Sequence, residues 1–127
     1  MEALHLDTHA AVWLYAGEVD RFPAKLRLLL EAKTLYISPM VLLEIQFLRE
    51  AGKLDIRPER FLRDMKEALD LKVCEDLFSS VALQAVEISW TRDPFDRLIV
   101  AQSDLAGVPL VTRDKAITHH YRRVVWE

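Results

Sequence analysis

The sequence predicts an α/β fold, with a parallel central sheet and helices on both faces. Two observations carry this. Short apolar runs alternate with amphipathic segments from end to end, the order that produces βα units. Helix punctuation recurs: proline opens segments at Ser38-Pro39, Arg57-Pro58 and Asp93-Pro94, and glycine closes them at Gly17, Gly52 and Gly107. The 127 residues suffice for one core and are too few for two, so a single domain over 1–127 is expected.

Ala3 to Leu6 reads as a strand ending at Asp7. Thr8 to Ala16 reads as a helix, because Ala11, Val12, Tyr15 and Ala16 fall at helical spacing before Gly17. Pro23 opens a helix through Ala32 that carries Leu26, Leu29 and Leu30. Leu35 to Ile37 is β-like. Ser38 then caps a helix running to about Ala51. Glu59 to Leu69 is helical, with Phe61, Leu62, Met65 and Leu69 on one side. Leu71 to Cys74 reads as a strand, Asp76 to Val86 as a helix, and Pro94 to Ala106 as another. Pro109 to Thr112 is a strand, Asp114 starts a short helix, and Arg123 to Trp126 forms a last strand.

The composition is that of a soluble globular chain, 51% hydrophobic and 29% charged. No apolar stretch is long enough to span a membrane, and the first residues lack a signal peptide's basic start and apolar run. The single cysteine, Cys74, excludes an internal disulfide, fits a reducing cytosol and reads as a small core residue. A cytoplasmic protein is expected. The net charge of −3 argues against nucleic-acid binding through overall charge, without excluding a nuclease whose own carboxylates lower that charge.

The informative pattern is acidic: Asp7, Glu44, Asp96 and Asp114. Asp7 lies between strand and helix, where it caps the helix or lines a site at the strand's end. Glu44 has Met40, Val41, Phe47 and Leu48 as its helical neighbours, so its carboxylate sits on an apolar face and needs a partner. Asp93 before Pro94 reads as a cap. Asp96 falls in the first helical turn, where negative charge suits the dipole, and Asp114 is again a cap or a site residue. Carboxylates that converge repel one another unless a cation lies between them. The natural occupant is a hard, oxygen-liganded ion such as Mg²⁺ or Mn²⁺, and such sites usually act on phosphates.

Other candidates have plainer readings. His5 is structural, His9 packs or lines a pocket, and His119-His120 is a solvated pair at a helix end. Arg97 and Arg113 flank the key aspartates and either bind phosphate or pair with the acids. Arg57, Arg60, Arg63 and Lys66 form a basic helix face, by default solvated and otherwise a track for RNA. Zinc spacing, a phosphate-binding glycine loop and a serine elbow are all missing.

Leu6-Asp7-Thr8-His9, Ser38-Pro39 leading to Glu44, Asp93-Pro94-Phe95-Asp96-Arg97-Leu98-Ile99-Val100-Ala101 and Leu110-Val111-Thr112-Arg113-Asp114 resemble the motifs of PIN-domain proteins. The likeness is greatest to VapC-type toxin ribonucleases of toxin–antitoxin pairs, over essentially the whole chain. The resemblance implies a three-layer α/β/α domain on a mainly parallel, about five-stranded sheet. It implies that Asp7, Glu44, Asp96 and Asp114 hold one or two Mg²⁺ or Mn²⁺ ions, with Thr112 and Asp93 in support. It further implies RNA hydrolysis by an activated water leaving a 5′-phosphate and a 3′-hydroxyl, a homodimer, and a cognate antitoxin. The apolar surfaces around Trp13 and Leu26 to Leu30 serve core, dimer or antitoxin contacts. Two other readings compete: a receiver-type phosphoacceptor domain, and a PIN-like module that binds RNA or a partner without cutting.

Overall fold

The computed structural model describes residues 2–127. Met1, the first position of the expected domain, lies outside the described residues. Five strands, β1 (Ala3–Leu6), β2 (Thr34–Ile37), β3 (Lys72–Val73), β4 (Leu110–Val111) and β5 (Val124–Val125), form one sheet in the order β3-β2-β1-β4-β5. Every pairing is parallel. Seven helices connect and cover the strands: α1 (Thr8–Tyr15), α2 (Ala24–Ala32), α3 (Pro39–Glu50), α4 (Pro58–Leu69), α5 (Phe78–Val86), α6 (Pro94–Ala106) and α7 (Lys115–His120). Parallel strands between helical layers are shielded on both faces and become apolar throughout. Accordingly Leu4, Leu6, Leu35, Ile37, Leu110 and Val111 are all buried.

The order places β1 at the centre, with β2 on one side and β4 on the other. Leu6 stands opposite both Ile37 and Val111. The chain leaves β1 toward β2 and later returns to the far side of β1 as β4. The β1/β4 boundary is therefore the switch point, where open α/β sheets leave a crevice beyond the strands' carboxyl ends. This order also departs from the receiver pattern, in which the strands run 2-1-3-4-5.

Local chemistry sets the element ends. Ser38 caps α3, its side chain accepting a hydrogen bond from the Met40 amide at 3.1 Å. Ser38 is 3% exposed, so removing the hydroxyl strands an amide that water reaches poorly. Ser38→Ala is expected to cost about 1 kcal/mol, read from the urea midpoint. Gly107 ends α6 at φ +68°, the left-handed conformation that glycine adopts without strain.

Some boundaries differ from the sequence reading. A short 3₁₀ turn, Val19–Arg21, was not anticipated. Helix α5 starts at Phe78, because Asp76 is not its cap: its carboxylate accepts a hydrogen bond from Gln102 at 2.7 Å. Strands β3 and β4 keep two residues each and pair with Tyr36-Ile37 and His5-Leu6, the carboxyl-terminal halves of β2 and β1. Leu69, expected on the apolar side of α4, is exposed, whereas Phe61 and Met65 are buried. The basic face of α4 is solvated, and its Arg60 and Arg63 approach Asp64 at 3.7 and 3.9 Å.

Cys74 is buried, its thiol pushed up to about 12 by desolvation, and its sulfur lies 3.6 Å from His5 Nε2. His5 is buried too, and desolvation lowers its pKa to about 4, so it packs as a neutral ring. Among the described residues no helix is long and apolar enough to cross a membrane.

Candidate acidic site

Separate elements carry the acids, and two of them, Asp7 and Asp114, line the crevice where β1 and β4 end. Asp7 follows β1 directly and is 7% exposed. Its Oδ1 accepts the Ala10 amide at 2.9 Å, so it does cap α1. Asp114 follows β4 and caps α7, its Oδ1 accepting the Ile117 amide at 2.9 Å. Capping and site membership are thus compatible, because a carboxylate has a second oxygen to offer. Asp93 caps α6 through the Phe95 amide at 2.9 Å, and Asp96 lies one turn further along the same helix. Glu44 comes from α3 and is half-buried.

Thr112 ties two of these acids together. Its side chain is fully buried at the end of β4, and its oxygen accepts the Asp114 amide at 3.1 Å. A hydrogen bond from the Thr112 side chain stabilises the Asp7 anion. Thr8 performs the matching task for Glu44: its buried hydroxyl donates a short hydrogen bond to Oε1. The sequence places Thr8 at the start of α1 and in the Leu6-Asp7-Thr8-His9 motif but assigns it no role at the acids. The sequence signal was present, since Glu44 on an apolar face called for a donor and Thr8 adjoins Asp7.

Electrostatics show the convergence. Burial raises the pKa of Asp96, which reaches about 7, and the charges of Asp93, Asp114, Glu44 and Asp7 raise it further. Burial likewise raises Glu44, opposed by the Thr8 hydrogen bond and reinforced by Asp93 and Asp7. Asp7 is raised by burial first, with Asp114 adding to it and Thr112, Ala10 and His9 opposing. Asp96 therefore feels the charges of Asp7, Glu44 and Asp114 together, Asp7 that of Asp114 and Glu44 that of Asp7, and no lysine or arginine is among the groups that relieve them.

Arg97, one candidate for a phosphate contact or an acid's partner, is occupied elsewhere. Its guanidinium donates to the Ala85 carbonyl at 3.1 and 3.4 Å and to the Val86 carbonyl at 3.4 Å, satisfying the end of α5. Arg113 is exposed and, with Asp7, His9, Trp13 and Asp114, lines a cleft of about 290 Å³.

A divalent cation fits this donor set by chemistry. The available groups are carboxylate and hydroxyl oxygens, the ligands that Mg²⁺ and Mn²⁺ prefer, and their mutual repulsion is what a cation would relieve. Among the described residues no three His, Cys, Asp or Glu side chains are gathered into a finished ion cage. The uncompensated charge and the oxygen donors, rather than a closed coordination shell, make the fit.

Comparison with known proteins agrees with this architecture. Solved structures share the fold over nearly the whole chain. One is VapBC2 from Rickettsia felis bound to a DNA fragment from its promoter, at TM-score 0.69 and 19% identity, covering 98% of this chain and 97% of that one. DNA-bound VapBC from Salmonella typhimurium gives 0.65 and 19%, covering 100% and 98%. A toxin–antitoxin complex from Klebsiella pneumoniae gives 0.60 and 16%, covering 96% and 95%. No curated protein sequence matches. The PIN domain family matches residues 4–123, and the chain belongs to the PIN-domain family.

Proposed function

We propose that this chain is a divalent-metal-dependent endoribonuclease, the toxin of a toxin–antitoxin pair that acts in the cytoplasm. The observation that carries the proposal is that the charges of Asp7, Glu44 and Asp114 all bear on Asp96 in a PIN-domain fold. In this reading those four hold one or two Mg²⁺ or Mn²⁺ ions, and Asp93 and Thr112 support them. A bound ion supplies Lewis acidity that lowers the pKa of water and offsets charge on the phosphate.

The chain's own residues do the rest. The Ala10 amide and Thr112 fix the rotamer of Asp7, and the Thr8 hydroxyl fixes one oxygen of Glu44. Asp96, raised to about 7, keeps its proton in part at neutral pH until a cation takes its place. Arg113, exposed at the rim beside Asp7 and Asp114, meets an incoming phosphate. In this reading the chain pairs with a second copy and with a cognate antitoxin; a toxin–antitoxin complex from Klebsiella pneumoniae shares its fold.

The test is cleavage of a cellular RNA pool by purified, antitoxin-free protein with Mn²⁺ or Mg²⁺, beside an EDTA control. Cutting that EDTA abolishes supports the proposal. Folded protein that cuts nothing with either ion favours a non-cleaving binding module. Thr8→Val, which keeps shape and removes the donor to Glu44, is expected to slow cleavage on the order of tenfold at limiting cation. Raising the cation concentration should restore much of the rate if the hydroxyl acts by orienting Glu44.

A further inference from the structure

The charge of this chain is unevenly placed. Residues 112–123, Thr-Arg-Asp-Lys-Ala-Ile-Thr-His-His-Tyr-Arg-Arg, carry four arginine or lysine side chains and one aspartate, in a protein whose net charge is −3. This stretch leaves β4 beside the acidic site, forms α7 and leads into β5. A second cleft, of about 450 Å³, opens there. Its walls carry Arg113, Lys115, Thr118, His119 and Trp126 against a single carboxylate, Glu127. Arg113 and the Trp13–Trp126 contact join this cleft to the one lined by Asp7 and Asp114: Arg113 lines both, and the two indoles meet edge to face at 6.0 Å.

Trp126 is held in place. Phe22 packs on it at 5.2 Å and Trp13 on another side, and the ring remains partly exposed on the cleft wall. A fixed aromatic surface flanked by cations is what single-stranded nucleic acid needs: the cations follow the phosphates, and the ring stacks a base. The basic face of α4 lacks this combination. Its Arg60 and Arg63 contact Asp64, as Arg123 contacts Asp104 at 3.2 Å, and what sets α4 apart is that none of the three tryptophans lies on it.

The geometry points to a single-stranded RNA path that leaves the acidic site past Arg113 and runs along α7, with Lys115 and His119 at the phosphates and Trp126 under a base. This rests on the ribonuclease reading and adds the side from which the substrate is held and the residues that hold it. Duplex RNA keeps its bases stacked on one another and offers none to Trp126.

The experiment measures binding separately from cutting. An Asp96→Asn protein with Mg²⁺ is titrated into a labelled single-stranded RNA oligonucleotide and followed by anisotropy. Adding Lys115→Glu is expected to weaken binding about tenfold or more, and Trp126→Leu by about tenfold. Lys115 is exposed in the first turn of α7, where an acid suits the helix dipole, so the first variant keeps its fold even if the second does not. Arg63→Gln on α4 should change little. Unchanged affinity in Lys115→Glu, or equal affinity for the duplex of the same sequence, overturns the path. If wild-type protein nevertheless cuts RNA, the ribonuclease reading survives that result. If the wild type neither cuts nor the Asp96→Asn protein binds, both fall.

Discussion

Asp96→Asn is expected to lower metal-dependent RNA cleavage on the order of a hundredfold or more while leaving the protein folded. Asparagine keeps the shape of the side chain and removes its charge. The loss of activity follows from removing one oxygen ligand from the cluster. The intact fold follows from the same electrostatics: Asp96 is disfavoured as an anion by burial and by four neighbouring carboxylates. Its folded pKa of about 7 lies above the ordinary value of 3.8, so between those values the folded chain holds a proton that the unfolded chain has released. Stability from this group therefore falls as pH rises from about 4 to about 7 and stays lost above. Without added cation, Asp96→Asn should gain about 1–2 kcal/mol over wild type at pH 8, allowing for solvent screening of a half-buried group, and little at pH 4. Urea midpoints at the two pH values, beside cleavage rates, test both halves. A folded Asp96→Asn protein that cuts RNA at the wild-type rate would remove Asp96 from the mechanism.

A divalent cation should stabilise the wild-type protein, and more strongly at pH 8 than at pH 6. An ion that binds only the folded state stabilises it by an amount set by its concentration relative to Kd. At a hundredfold excess this is about 2.7 kcal/mol, or roughly a 10 °C rise in Tm for a domain of this size. The pH dependence follows because the ion competes with protons. Asp96 titrates near 7, and Glu44 and Asp7 are also raised, so more of the cluster must give up protons at pH 6 than at pH 8. Thermal melts in Mn²⁺ and in EDTA at both pH values measure this. Equal stabilisation in wild type and Asp96→Asn would place the ion elsewhere.

The element order was legible in the sequence because its punctuation is local. Ser38, Asp93 and Asp114 sit where a cap must sit, and Gly107 where a left-handed residue must. The approach of Asp114 to Asp7 was not legible from spacing. It depends on β4 returning to β1 rather than to the sheet edge, a pairing that leaves no local trace because His5 and Leu110 are distant in sequence. The resemblance to PIN-domain proteins supplied what spacing lacked. Side-chain engagement was the least legible. Arg97 adjoins Asp96, yet its guanidinium reaches the last carbonyls of α5, and a sequence gives no sign of which helix end packs within a side chain's reach. Asp76 looked like a helix start and instead serves Gln102, for the same reason.

The place of β1 in the sheet also fixes when the site can exist. β1 is made first, but its partner β4 emerges from the ribosome about a hundred residues later, followed by Thr112 and Asp114. At a synthesis rate of about 5–20 residues per second, Asp7 waits roughly 5–20 seconds for the acid that completes its crevice. Residues 2–73 can pair β1, β2 and β3, but they leave one edge of β1 open and the crevice unformed. A nascent chain of this topology has no such crevice while it is being made and gains one only when its fourth strand docks.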